Sequence, residues 1–191
     1  MKTKGFTLVE LLIVMAVSAI AGVLLLQVLV NNNSLVVDQS FKISHGLNLN
    51  DISSIIENDI KSSAGVVAEY PDSNPIYITS DNTLIIKIPS INQDEDVIPD
   101  IFDHIVVAAD SANQKVLRRI TIPSEQSSRP SNNRVLTSSL SLIKFSYLDS
   151  TGVSTTPTNA SKINYIVNLL NKSGLNNYQS STSGEINFRN N

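Results

Sequence analysis

A single uninterrupted apolar run dominates this chain: from Phe6 to Val30 the only polar side chains are Thr7, Glu10, Ser18 and Gln27. At about 1.5 Å rise per residue, twenty such positions wound as a helix reach roughly 30 Å, one bilayer crossing. Lys2 and Lys4 precede the run and no basic residue follows until Lys42. The positive-inside rule therefore predicts a cytoplasmic N-terminus and an exported remainder. Glu10 is the anomaly, because an ionised side chain at that depth costs about 3 kcal/mol on insertion scales and asks for a cation. The run contains none. The partner has to be Lys2, Lys4, another chain, or a new positive charge made by cutting the chain. Cleavage after Gly5 would create one, an α-amino group on Phe6 four residues before Glu10.

The string Lys4-Gly5-Phe6-Thr7-Leu8-Val9-Glu10-Leu11-Leu12-Ile13 resembles the processing site of type IV pilins and type II secretion pseudopilins. The resemblance implies that a prepilin peptidase of the membrane cuts between Gly5 and Phe6 and methylates the Phe6 amine. It also implies that Glu10 guides docking of the subunit into a growing filament, and that Gly5 serves the peptidase by letting backbone enter a narrow cleft. Its further implied partners are other pilin or pseudopilin subunits, the inner-membrane assembly platform and the cytoplasmic membrane itself. Two plainer readings compete with it. Ala19-Ile20-Ala21 offers a signal-peptidase site, but it would place Glu10 inside the apolar region and leave Gly22-Val23-Leu24-Leu25-Leu26 at the head of a soluble protein. A simple membrane anchor leaves the Gly-Phe-Thr-Leu-Val-Glu string unexplained.

Beyond Val30 the helix is expected to continue through Asn31 to Ser34, a stretch of weak helix propensity. Ile52, Ile55, Ile56 and Ile60 recur at helical spacing and predict one buried face, with Asp51, Glu57, Asp59 and Lys61 largely elsewhere. A kink or break is expected near His45 and Gly46, and the helix end at 62–65 with Gly65 as its C-terminal cap. After Val66 prolines and short β-branched runs take over, the signature of strands and turns. Three pairings are predicted. Residues 75–79 and Thr83 to Ile88 form a hairpin across Asp81-Asn82, Asp103 to Ala109 pairs with Lys115 to Ile122, and Ser139 to Leu148 leads through Asp149 to Gly152 into Lys162 to Leu169. Ser183 to Arg189 is a last short strand.

The expected fold is therefore α+β and pilin-like, a long N-terminal helix packed on an antiparallel β-sheet head. Its expected segments are a leader at 1–5, a transmembrane and filament-core helix at 6–30, an amphipathic continuation at 31–64 and a β-rich head at 65–191. The order of elements, with Ile56 to Ile60, Leu117-Arg118-Arg119, Ile143 to Tyr147, Ile163 to Leu169 and Ile186 to Asn190, is similar to the J-type minor pseudopilins and, through them, the W-type minor pilins. That similarity implies a scarce subunit at the filament tip that helps start assembly. It departs from the group in its few basic residues and in the Asn/Ser-rich stretches 31–34 and 174–183. A major pilin forming the bulk filament, and a tip adhesin or DNA-uptake subunit, are the alternatives.

Other chemistries find little support. With no cysteine there is no disulfide, thiolate nucleophile or Cys-based metal site. A net charge of -3 without any basic cluster larger than Arg118-Arg119 predicts no specific nucleic-acid binding. His45 and His104 lack metal-ligand spacing, so no metal and no cofactor are expected. Asp94, Glu95, Asp96 and Asp100 form an acidic loop that reads as solvated, with calcium as the competing reading. No G-x-S-x-G string accompanies the many serines, and an enzyme is not expected. Arg118 and Arg119 on one strand would point to opposite faces, one of them into an ion pair at the core edge.

Overall fold

The computed structural model describes residues 7–71, 76–173 and 176–188, without the side chains of 34, 35, 37, 38, 41–47, 173 and 176. Helix α1 (Leu8–Ser62) is followed by ten strands, β1 (Gly65–Val66), β2 (Glu69–Tyr70), β3 (Tyr77–Ile78), β4 (Thr83–Ile91), β5 (Val97–Ala109), β6 (Leu117–Ile122), β7 (Asn132–Thr137), β8 (Leu140–Leu148), β9 (Lys162–Ser173) and β10 (Asn176–Asn187). The chain divides into two compact units, 1–44 and 45–191, and the division falls inside α1.

In the first unit the large apolar side chains from Leu8 to Val30 are all 55–76 % exposed. No core of this unit's own shields them.

The second unit has one core. Leu49, Ile52, Ile56 and Ile60 of α1 pack against Leu84, Ile86 and Ile88 of β4, Ile105 and Val107 of β5, Leu117 of β6, and the inward residues of β8 and β9. Ile52, Ile56 and Ile60 form a stripe at i, i+4, i+8, while Ile55 lies at its half-buried margin. On β9 Ile163, Tyr165, Val167 and Leu169 are buried and alternate with Lys162, Asn164, Ile166 and Asn168, the period of a strand with one covered face. Five strands form one antiparallel sheet in the order β1-β4-β5-β6-β7, three form another in the order β10-β9-β8, and β2 with β3 makes a small ribbon.

Several expectations change. The helix is unbroken at His45 and Gly46. It stops at Ser62 without glycine, because serines do the capping. Ser62 Oγ donates to the Asp59 carbonyl at 3.0 Å, and Ser63 Oγ and N–H donate to the Ile60 carbonyl at 2.7 and 3.1 Å. Gly65, at φ 137°, opens β1 opposite Lys87 instead.

The first predicted hairpin does not form. The turn is present, with the Ser80 N–H donating to the Thr83 carbonyl at 2.9 Å, but β3 pairs with β2 and β4 pairs with β1 and β5. Ile85 and Val106 mark the pairing that β4 makes instead. They are fully buried on the sheet face opposite the main core and lie opposite each other across β4 and β5, which pair over most of the length of β4, whereas β3 is only two residues long. Residue 75 lies outside the described residues. The second hairpin forms as β5 and β6, with His104 opposite Ile122 and Ala109 opposite Leu117, and the third forms as β8 and β9. The last predicted strand, from Ser183, forms as the end of a longer strand, β10, which also takes in the Asn/Ser-rich residues from Asn176 and pairs with β9 without a register shift. Arg189 lies outside the described residues.

Candidate functional site

At the start of α1 the sequence Thr7-Leu8-Val9-Glu10 closes on itself. The Thr7 N–H and hydroxyl both donate to Glu10 Oε2, at 2.9 and 3.0 Å, and the Glu10 N–H donates to Thr7 Oγ1 at 3.3 Å. This is a capping box, in which two of the unpaired N–H groups of a helix start are satisfied reciprocally. Its Thr-x-x-Glu spacing is legible in the sequence as Thr7-Leu8-Val9-Glu10. The carboxylate also sits in the first turn of α1, where the helix macrodipole favours a negative charge. Glu10 is thus held by local donors in the single chain and remains exposed. A cation is not required for it to be satisfied at a helix start. Gly5, Phe6, Lys2 and Lys4 lie outside the described residues. The helix that follows is long and apolar enough to cross a membrane over Leu8–Asn33 and is unburied throughout.

In the second unit charged groups tie α1 to the sheets. Arg119 on β6 faces the helix and makes a two-point contact with Asp59, Nε to Oδ2 at 2.6 Å and Nη2 to Oδ1 at 2.8 Å. Its own pKa is raised by that hydrogen bonding. Asp59 is accordingly buried rather than placed off the helix's inner face. Arg118, one residue earlier, points the other way and pairs with Asp110. The opposite-face expectation for the two arginines therefore holds, with both of them paired. Tyr165 on β9 donates to Glu57 Oε1 at 3.0 Å and meets Ser53 Oγ, a second helix-to-sheet tie.

Asp103 on β5 is completely buried. Its oxygens accept from Ser90 Oγ at 2.7 Å, the Ser124 N–H at 2.9 Å, Ser127 Oγ at 2.9 Å and Arg129 Nε at 2.7 Å. Burial pushes this carboxyl up, but the four donors together outweigh burial and hold its pKa below the ordinary value. The group organises the segment between β6 and β7. It is architecture rather than a reactive centre.

The acidic loop is ordered by Asn92, whose Oδ1 accepts the N–H groups of Asp94 and Asp96, both at 2.9 Å. Among the described residues no three His, Asp or Glu side chains are placed to hold a metal ion. His104 lies against the Tyr70 ring, centroids 4.3 Å apart. Phe145, Tyr147, Tyr165 and Phe188 are core residues.

Residues 1–26 match the model of the prokaryotic N-terminal methylation motif. With a long, capped N-terminal apolar helix and antiparallel β-sheets, an α+β pilin-like fold, the motif supports the type IV pilin and pseudopilin superfamily. The motif implies processing by prepilin peptidase and assembly with other pilin subunits, and together with the apolar helix it supports membrane anchoring. No curated protein matches the chain.

Proposed function

We propose that the chain is a minor, tip-located pilin or pseudopilin of the J and W type, a structural subunit that helps start a filament. The observation that carries the structural role is the methylation motif over 1–26 continuing into an unshielded apolar helix. The minor-subunit reading draws on the order of head elements and on a head without the cysteine pair that many major pilins carry. In this reading 1–5 is the leader, 6–30 the membrane and filament-core segment, 31–64 the amphipathic continuation and 65–191 the head. The N-terminus lies in the cytoplasm and the head outside. Cleavage between Gly5 and Phe6 and methylation of Phe6 produce the mature end.

Glu10 is the docking residue. The capping box supplies its state before assembly: Thr7 holds the carboxylate at the helix start, and docking exchanges Thr7's donors for the Phe6 amine of a neighbour. Two oppositely charged groups neutralise each other at membrane depth, where an unpaired carboxylate is costly.

The intact mass and N-terminal residue of the protein taken from membranes test the route. A chain beginning at methylated Phe6 is expected, and one beginning at Gly22 would overturn it. Copy number in a sheared filament fraction then separates a scarce tip subunit from a bulk pilin.

A further inference from the structure

Among the described residues the five-stranded and three-stranded sheets end in four strand edges, of which three are protected, and the β2–β3 ribbon has strands only two residues long. Strand β1 is two residues long. Strand β7 carries Arg134 and meets β6 across a register shift at Leu117/Arg118. The outer side of β8 is occupied: the Leu140 and Phe145 N–H groups donate to the Lys115 and Asp81 carbonyls at 2.7 and 2.6 Å, and the Tyr147 carbonyl accepts the Thr155 N–H at 2.9 Å. Short strands, charges, bulges and covering loops are the devices by which proteins keep sheet edges from pairing with other chains.

Among the described residues strand β10 has no bulge, no proline and no backbone hydrogen bond from a covering loop. It is twelve residues long, it pairs with β9 in unbroken register, and among the described residues it has a strand partner on one side only. It contains no lysine, arginine or proline, and its single acid, Glu185, is paired with Lys162 of β9 at 3.5 Å. The direction of its backbone follows from β9. The Leu170 N–H donates to Ser139, on the β8 side, so Leu170 and its partner Gln179 are not hydrogen-bonded to each other. Because the pattern alternates along an antiparallel ladder, the N–H and C=O groups of Asn177, Gln179, Ser181, Ser183, Glu185 and Asn187 point to the open edge.

We infer that this edge pairs antiparallel with β10 of a second copy of the chain, joining two three-stranded sheets into one of six. This deepens the assembly reading and rests on it for the setting in which two copies meet. The edge complements itself. In the two registers that centre the pair and match outward groups with outward groups, Ser181 lies opposite Ser181 or Ser183 of the other copy. Glu185 then lies opposite Asn177 or Gln179, never opposite a carboxylate. With the other three edges protected, copies of this chain that join by strand addition have only this two-fold arrangement open to them.

The absence of cysteine makes the test direct. In full-length protein in detergent micelles, Ser181→Cys is expected to be joined into a dimer by a short bis-maleimide, which spans the two thiols in either register. The yield should be at least about tenfold above that of Asn133→Cys on β7, which controls for encounters through the apolar helices. Adding Ser183→Pro, whose lost N–H faces the open edge and leaves the β9 ladder intact, should reduce the Ser181→Cys cross-link by a similar factor at unchanged circular dichroism. Equal cross-linking at the two strands, or no dimer, would overturn the inference. So would trapping in membranes of only a chain of different mass, which would assign the edge to another subunit. A methylated Phe6 with an uncross-linked Ser181→Cys removes this inference and leaves the pilin reading standing. A Gly22 terminus with a specific cross-link does the reverse.

Discussion

Glu10 shows how one side chain can satisfy two demands. As the third residue of a helix it caps its own chain through Thr7, and in the proposed assembly it also takes a cation from a neighbour. The two roles separate by substitution. Glu10→Ala removes both and should leave leader cleavage largely intact while filament incorporation falls to background. Thr7→Val removes only the local donors, so incorporation should survive, and loss of incorporation in Thr7→Val equal to that in Glu10→Ala would show that capping alone matters. In the head, Arg119 is the corresponding test. Truncation to alanine strands Asp59, a buried carboxylate, and hydrogen bonds to charged groups contribute about 1.5–3 kcal/mol. Arg119→Ala should therefore lower stability by about 2 kcal/mol in urea unfolding of the full chain in micelles. Arg118→Ala, whose partner Asp110 is met at the outer face, should cost under about 1 kcal/mol.

Among the elements, β9 and β10 are held together by a size match that the sequence does not display. A Cβ placed on Gly184 would come within 2.6 Å of the Tyr165 ring, and Tyr165 is buried and anchored to Ser53 and Glu57 of the helix. The ring cannot step aside without breaking that tie. Gly184→Ala is expected to destabilise the head by about 1–3 kcal/mol, the usual range for overpacking, measured by the same unfolding curve. At this scale the legible and the illegible divide cleanly. The isoleucine stripe 52, 56, 60 and the alternation 163 to 169 could be read because one face of each element meets the core. The pairing of β3 could not, since local turn chemistry at Ser80 to Asn82 is compatible with a hairpin while β4 pairs with β1 and β5 instead. Only the end of strand β10, from Ser183, is legible in the sequence: the serines and asparagines before it carry no alternating apolar pattern, and their strand state comes from hydrogen bonding to β9.

For the whole molecule the buried charges predict an acid-sensitive head. Asp103 has a folded pKa below its ordinary value of 3.8. Its ionised form thus contributes stability that is complete above the unfolded pKa, declines as pH drops beneath it, and is lost once pH falls through the folded pKa. Unfolding midpoints measured from pH 6 downward should stay level until roughly pH 4 and then decline. In Asp103→Asn the starting stability should be lower, by about 3 kcal/mol for a buried charge network broken on one side, and the acid-dependent decline should be shallower. An identical pH profile in the variant would assign the acid response to other carboxylates.

The N-terminal third needed little beyond the sequence. Span length, the oddity of Glu10 and the processing string depend on residues adjacent in the chain, and helical geometry is local enough to be read from them. What lay beyond it was the head's wiring. That Asp59 meets Arg119 sixty residues away, that Asp103 gathers Ser90, Ser124, Ser127 and Arg129, and that β4 prefers β5 to β3 are contacts between segments far apart in the chain. No spacing rule encodes them. They follow from which faces are already covered once the sheets have packed on the helix, and that is settled by tertiary burial alone.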